Sequence, residues 1–199
     1  LAAMSTEGNA YDIWIYDFAR STLTKLDAAG SSQAPVWAPD GVHLAYRATR
    51  SGSRNLFWKP VDSTNPEERL TAGEGTETPS SFSPDGTLLA FSRDSGATGA
   101  DIRVVPLDGD RTPQDVIVAE GDQRGAQFSP DGRWVAYTST ESGRTEVYVQ
   151  PVQGPGRKWL VSAGGGTEPR WSRNGRELFY RNGDAFMAAE VNTQPAFST

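Results

Sequence analysis

A chain of 199 residues with a net charge of −6 and its basic residues scattered singly has no electrostatic grip on nucleic acid or on an anionic membrane surface. It has no cysteine, which removes disulfides, thiol nucleophiles and thiolate metal sites together. No apolar run reaches membrane-spanning length, and the 21 glycines and 13 prolines recur at regular intervals, as in a turn-rich all-β fold.

In chain order, the first apolar strand is Asp12-Ile13-Trp14-Ile15-Tyr16, followed by a shorter run from Leu23 to Leu26. Trp37-Ala38-Pro39-Asp40-Gly41 comes next and reads as a tight turn. Proline presets φ, aspartate suits the following position, and glycine accepts the left-handed conformation after it. The apolar pair Ala45-Tyr46, the strand Asn55-Leu56-Phe57-Trp58 and a run from Arg69 to Thr71 complete one series.

That series then repeats. The turn recurs at Phe82-Ser83-Pro84-Asp85-Gly86, Phe128-Ser129-Pro130-Asp131-Gly132 and Trp171-Ser172-Arg173-Asn174-Gly175, with spacings of 45, 46 and 43 residues. The last copy has lost proline and aspartate, but Asn174-Gly175 is itself a strong turn former. Strands led by an acid or amide recur in phase at Asp101, Glu146 and Asp184, and weaker runs follow at Val116 to Val118 and Trp159 to Val161. A period of about 45 residues is the length of one four-stranded propeller blade. The turn is then the hairpin between strands A and B, and the acid-led strand is strand C.

The expected architecture is therefore all-β: a single β-propeller domain or propeller fragment over residues 1–199, with its repeats in 10–191. It is built of four-stranded antiparallel blades, about four in number, in a ring that can be incomplete. The expected order is a C–D pair, three full blades, and a final A–B–C unit. No segment has the pattern of a secretory signal, and the surplus C strand favours an excerpt of a longer propeller.

The aromatic-Ser-Pro-Asp-Gly repeat, followed by Leu-Ala-Tyr/Phe and then Asp-Ile-Trp, resembles the Pro-Asp variety of WD40-like repeat found in TolB. The resemblance runs from about Ala10 to Val191. The stretch from Glu141 to Trp171 is similar to repeats at the C-terminal end of large bacterial proteins, some of which carry a serine/threonine kinase domain. Kinship with TolB implies a periplasmic or otherwise extracytoplasmic, non-enzymatic scaffold that receives protein partners at the mouth of its channel. The repeats also resemble those in the propellers of prolyl oligopeptidases and of some sugar lyases, so fold alone does not settle function. A ligand-sensing propeller of a larger signalling protein and the gating propeller of a prolyl-oligopeptidase-type hydrolase stand as alternatives.

Candidate sites are few. His43 is the sole histidine and aligns with Leu88, Trp134 and Glu177, so a structural role outweighs catalysis. Asp40, Asp85 and Asp131 are accounted for by turn formation, as are the prolines and glycines around them. Asp12, Asp101, Glu146 and Asp184 are expected to bond backbone at blade edges. Asp108-Gly109-Asp110 lacks the ligand pattern of a calcium loop, so no metal, cofactor or catalytic residue is expected. Trp14, Trp37 and Trp171 are expected in the core between blades, and Trp134 and Trp159 partly exposed.

The expected binding surface is the set of loops leading into each strand A. These carry Gln33, Glu77, Thr78, Gln123, Arg124, Thr167 and Glu168, and their chemistry varies between repeats while the turns keep theirs. The expected partner is a protein or peptide, with no nucleic acid and no membrane insertion. Strands left unpaired at open blade edges predict self-association of the chain, or closure between its terminal strands. Light scattering on a sizing column checks this: a species larger than the 21.5 kDa monomer means pairing between chains. A monomer means that the terminal half-blades close on each other or tolerate exposure.

Overall fold

The computed structural model describes residues 1–7, 10–26, 30–50, 52–62, 65–94, 96, 99–154, 156–194 and 196–199, and among these there is no helix. Its strands fall into five successive antiparallel groups, the second and third joined by one parallel bridge between Arg54 and Thr76. The first blade is β1 (Ala2–Glu7), β2 (Ala10–Asp17) and β3 (Thr22–Lys25). The second is β4 (Ser32–Trp37), β5 (His43–Arg50), β6 (Ser53–Pro60) and β7 (Glu68–Arg69). The third is β8 (Thr76–Phe82), β9 (Leu88–Asp94), β10 (Ala100–Pro106) and β11 (Gln114–Ile117). The fourth is β12 (Gln123–Phe128), β13 (Trp134–Ser139), β14 (Glu146–Pro151) and β15 (Trp159–Leu160). The fifth is β16 (Thr167–Trp171), β17 (Glu177–Asn182) and β18 (Ala185–Glu190).

This is the β-propeller expected from the repeats, as an incomplete ring with three four-stranded blades between two three-stranded ones. Among the described residues, no strand of the fifth blade pairs with one of the first. The first blade holds one strand more than the repeats indicate. β1 pairs with β2 from Ala2 opposite Ile15 to Glu7 opposite Ala10, in strand-B position. It carries no turn motif before it, so the repeat pattern does not reach it.

Successive side chains on a strand face opposite sides, and here both sides are covered. On β13, Val135 and Tyr137 pack with Ala90 and Ile102 of the third blade. Trp134 and Ala136 on the same strand pack with Leu178 and Tyr180 of the fifth. On β9, Leu89 and Phe91 face the second blade while Ala90 faces the fourth. Side chains such as Leu44 and Leu89, with no exposed surface, each contribute roughly 1.5–3 kcal/mol. This double burial is why the strands read as apolar runs.

Trp134 departs from expectation: it is only 6% exposed. Its ring lies edge-on to Trp159 and against Phe197, and its Nε1 donates to the Thr193 carbonyl at 3.2 Å. The chain after β18, closed by an Asn192–Ser198 bridge, carries Phe197 into this aromatic cluster. A tail contact of this kind leaves no periodic signal in the sequence.

The four A–B turns share one construction. Gly41, Gly86, Gly132 and Gly175 have φ of 69°, 73°, 71° and 69°, the left-handed region that glycine enters without cost. The Asp or Asn before each glycine caps the turn. Asp40 Oδ1 accepts from the Val42 and His43 amides, Asp85 Oδ1 from Thr87, Asp131 Oδ1 from Arg133 and Asn174 Oδ1 from Arg176. In three copies a serine at the turn's start accepts from the first residue of strand B: Leu88 N to Ser83, Trp134 N to Ser129 and Glu177 N to Ser172, each at 3.0 Å. The last three glycines also sit against the preceding blade's turn. A Cβ on Gly132 would lie 3.5 Å from Cδ of Pro84, and one on Gly175 would lie 3.7 Å from Cδ of Pro130.

Ser129 is fully buried and serves both the Trp134 amide and Asp131, to which it donates at 2.5 Å. Ser129→Ala should therefore cost about 1–3 kcal/mol, because a buried amide loses its acceptor. Urea unfolding should show a lower midpoint at unchanged slope. The half-buried Ser172→Ala should cost less.

Candidate functional site at the channel mouth

The strands A of four consecutive blades, β4, β8, β12 and β16, converge on a cavity of about 420 Å³. Each carries a β-bulge within the three residues before the closing aromatic of its motif. The register shifts between Gln33 and Val36, Pro79 and Ser81, Arg124 and Gln127, and Thr167 and Arg170. Three bulge residues are left-handed: Ala34 (φ 52°), Gly125 (φ 66°) and Glu168 (φ 54°). In the fourth blade's case glycine takes this for nothing, whereas Ala34 and Glu168 each bear roughly 1–2 kcal/mol of backbone strain. Bulges of this kind bend a strand and re-aim its side chains. Here they turn the first half of each strand A toward the cavity.

The wall of the cavity is polar and varied. Thr78 and Ser80 come from β8, Arg124 and Gln127 from β12, Thr167, Glu168 and Arg170 from β16, with Ser92 and Thr138 behind them and Pro35 and Val36 as an apolar stretch. Arg124 is held between two carboxylates, donating at 2.8 Å to both Asp94 and Asp122. Partial burial alone would lower its pKa, but the two carboxylates raise it above the ordinary arginine value. Arg47 donates to Thr78 Oγ1 at 2.9 Å and also to the Gln33 side-chain oxygen Oε1, tying the second blade to the third at the rim. Its own pKa is lowered by burial and by the charge of Arg54.

Of the seven residues expected at this surface, Thr78, Arg124, Thr167 and Glu168 line the cavity together. Gln33 is half-buried and engaged by Arg47, and it is not among the residues lining the cavity. Glu77 and Gln123 do not reach it, and their assignment as binding residues is corrected. Both are fully buried. Glu77 Oε2 accepts from Asn55 Nδ2 at 3.1 Å and from the Thr71 hydroxyl. Gln123 Nε2 donates to the Glu120 carbonyl at 2.9 Å and to Ser139 Oγ at 3.3 Å. The reason is the two-residue period of a strand. Ser32, Glu77 and Gln123 occupy the same position in their blades and point inward, so the next residue, Gln33, Thr78 or Arg124, points to the channel. Arg170 and Gln127, just before the closing aromatic, are the mouth residues that sequence reasoning missed. Reading the alternation outward from that aromatic finds them.

The remaining titratable groups lie elsewhere. His43 belongs to the turn at the far end of β4, where Nδ1 meets Asp40 Oδ2 at 2.6 Å and the ring stacks on Trp58 at 4.5 Å. Against a desolvation cost, the amides of His43 and Val42 hold the Asp40 carboxyl below its usual range. Glu146 caps the loop after strand D, accepting from the Gly165 amide at 3.0 Å and from Ser162, and pairs with Arg144. Asp12 pairs with Lys25 at 2.8 Å. Among the described residues, no group of three or more His, Cys, Asp or Glu side chains is placed to hold a metal ion.

Four-stranded antiparallel blades fanned around a polar channel, with strands A innermost, make this chain a β-propeller. It belongs to the TolB β-propeller domain family, whose sequence profile matches residues 1–181. Its fold is similar to that of TolB from Acinetobacter baumannii, with a TM-score of 0.79 at 21% identity over 98% of this chain and 49% of that one. A protein of Agrobacterium tumefaciens assigned to TolB gives 0.78 at 18% identity, over 94% of this chain and 72% of that one. A prolyl endopeptidase gives 0.66 at 12%, over 90% of this chain and 29% of that one. The chain thus spans about half the length of the Acinetobacter protein, and at these identities the likeness is one of fold. No curated protein matches the chain by sequence.

The bond from Arg124, together with the Gly96 amide, holds the Asp94 carboxyl below its usual range. A depressed folded-state value contributes stability that is complete above about pH 4, the unfolded value, and is lost as pH falls through the folded one. The pair is partly exposed, so its share is about 0.5 kcal/mol. Thermal melts from pH 6 down to pH 3 should show Asp94→Asn less stable than the parent near neutrality, with the two curves converging in acid.

Proposed function

We propose that the chain is a non-catalytic binding module that takes a protein or peptide partner at the channel mouth. One observation carries this reading: four strands A deliver side chains of different chemistry to one cavity, while the turns at their other ends repeat the same chemistry in every blade. A wall of hydroxyls, an amide and guanidinium groups beside a proline-valine stretch suits peptide backbone and mixed side chains. The sole imidazole supports the same conclusion, because its partners are a turn carboxylate and a tryptophan ring at the far end of β4. A general base needs the proton of its nucleophile within hydrogen-bond reach. Membership of the TolB family supports an extracytoplasmic setting for this activity.

The test is selection of peptides from a displayed library on the immobilised chain, followed by affinity measurement on variants. Ser80→Trp fills the mouth from β8, and Arg173→Ala alters only an exposed residue of the distant turn. Selected peptides should lose at least about tenfold in affinity on Ser80→Trp and nothing on Arg173→Ala; a tenfold loss corresponds to removing about 1.4 kcal/mol of contact. Equal binding to both variants would move the binding surface away from the mouth.

A further inference from the structure

We infer that the mouth selects an acidic peptide segment, with the Arg170 guanidinium pairing with a carboxylate side chain of the bound partner. The inference rests on the mouth being the binding site and adds the chemistry of what enters it.

The position just before the closing aromatic is occupied by Val36, Ser81, Gln127 and Arg170 in successive blades. Where this residue is polar in the inner blades, its side chain bonds across to the neighbouring blade. Ser81 Oγ donates to the Ala126 carbonyl at 2.9 Å and accepts from the Phe128 amide at 3.2 Å. Gln127 Nε2 donates to the Ser80 carbonyl at 3.1 Å. Arg170 departs from this use. Its one hydrogen bond among the described residues runs from Nη1 to the carbonyl of its own neighbour Pro169, at 2.9 Å. A guanidinium has five N–H donors in a rigid fork, so most of this one faces the cavity unspent.

Of the two arginines that line the cavity, Arg170 has no carboxylate partner among the described residues, and Arg47 at the rim is spent on Gln33 and Thr78. Arg124 is already bound by Asp94 and Asp122, and Glu168 lies 3.7 Å from Arg181. Arg170 lines both the main cavity and the adjoining cleft, where Pro35, Val36 and Ser80 lie across from it. A cation without a carboxylate partner, on the cavity wall of a chain of net charge −6, is the reverse of the overall charge, and it matches a carboxylate in fork geometry. A single free guanidinium suits one carboxylate side chain and falls well short of the row of cations that a phosphate backbone requires.

The test uses the 199-residue chain and two rhodamine-labelled octapeptides, acetylated and amidated so that no terminal carboxylate contributes. One alternates Glu with Ser and the other alternates Gln with Ser. Fluorescence anisotropy should show the Glu peptide binding about tenfold tighter than the Gln peptide, with the difference shrinking at high salt. Arg170→Gln should abolish that difference and leave the Gln peptide unchanged, and Arg170→Lys should restore part of it. Arg170 is exposed, so an unchanged urea midpoint will show that the fold is intact. Equal binding of the two peptides, or a preference that survives Arg170→Gln, overturns the carboxylate assignment; the mouth itself stands if Ser80→Trp still blocks binding. Binding that ignores Ser80→Trp overturns both readings. Absence of binding by either peptide, or tighter binding of a single-stranded oligonucleotide, overturns the acidic-peptide assignment.

Discussion

The structure depends on a side-chain oxygen that holds the A–B hairpin in register. In each turn an Asp or Asn accepts the amide two residues on, and the following glycine takes the left-handed conformation. In three copies a serine hydroxyl then accepts the first amide of strand B. Register matters here more than in most sheets, because a shift of one residue would exchange the two faces of a strand. Val135 and Tyr137 would then meet the fifth blade in place of the third, and Trp134 and Ala136 the reverse. With both faces buried, neither exchange fits, so a local polar bond decides how the apolar layers stack.

The same strands end in a different physical regime. At the turn, backbone groups are satisfied within the motif and neighbouring motifs touch through proline and glycine. At the mouth, the bulges release the strands from strict pairing and turn polar side chains into a shared cavity. Non-glycine residues at positive φ, Ala34 and Glu168, mark where packing imposes a shape that local preference opposes. Stability is thus concentrated at one end of each strand A and adaptable chemistry at the other. That division lets loop-lining residues vary without disturbing the stack.

The apolar layers close unequally at the two ends of the chain. In the fifth blade, Phe197 from the segment after β18 covers Trp134, Trp159 and Trp171. β18 itself remains largely exposed, with Phe186 at 85%. At the other end β1 presents Met4 at 52% exposure. The inner blades show what covers such surfaces elsewhere: a neighbouring sheet on each side, bringing Leu89 and Phe91 to zero exposure.

The sequence alone determined the blade. Turn chemistry and apolar runs act within a few residues, so a motif recurring at 45, 46 and 43 residues specifies the hairpin, the strand order and the number of repeats wherever the motif is intact. It left β1 unseen, because that strand has no turn motif to announce it. Only the tertiary structure decided which mouth residues lie together. Thr78, Arg124 and Glu168 are more than forty residues apart from one to the next and meet because the blades fan around an axis. The direction of Glu77 and Gln123, the burial of Trp134 under the tail, and the unspent donors of Arg170 were settled by neighbours that no local pattern specifies.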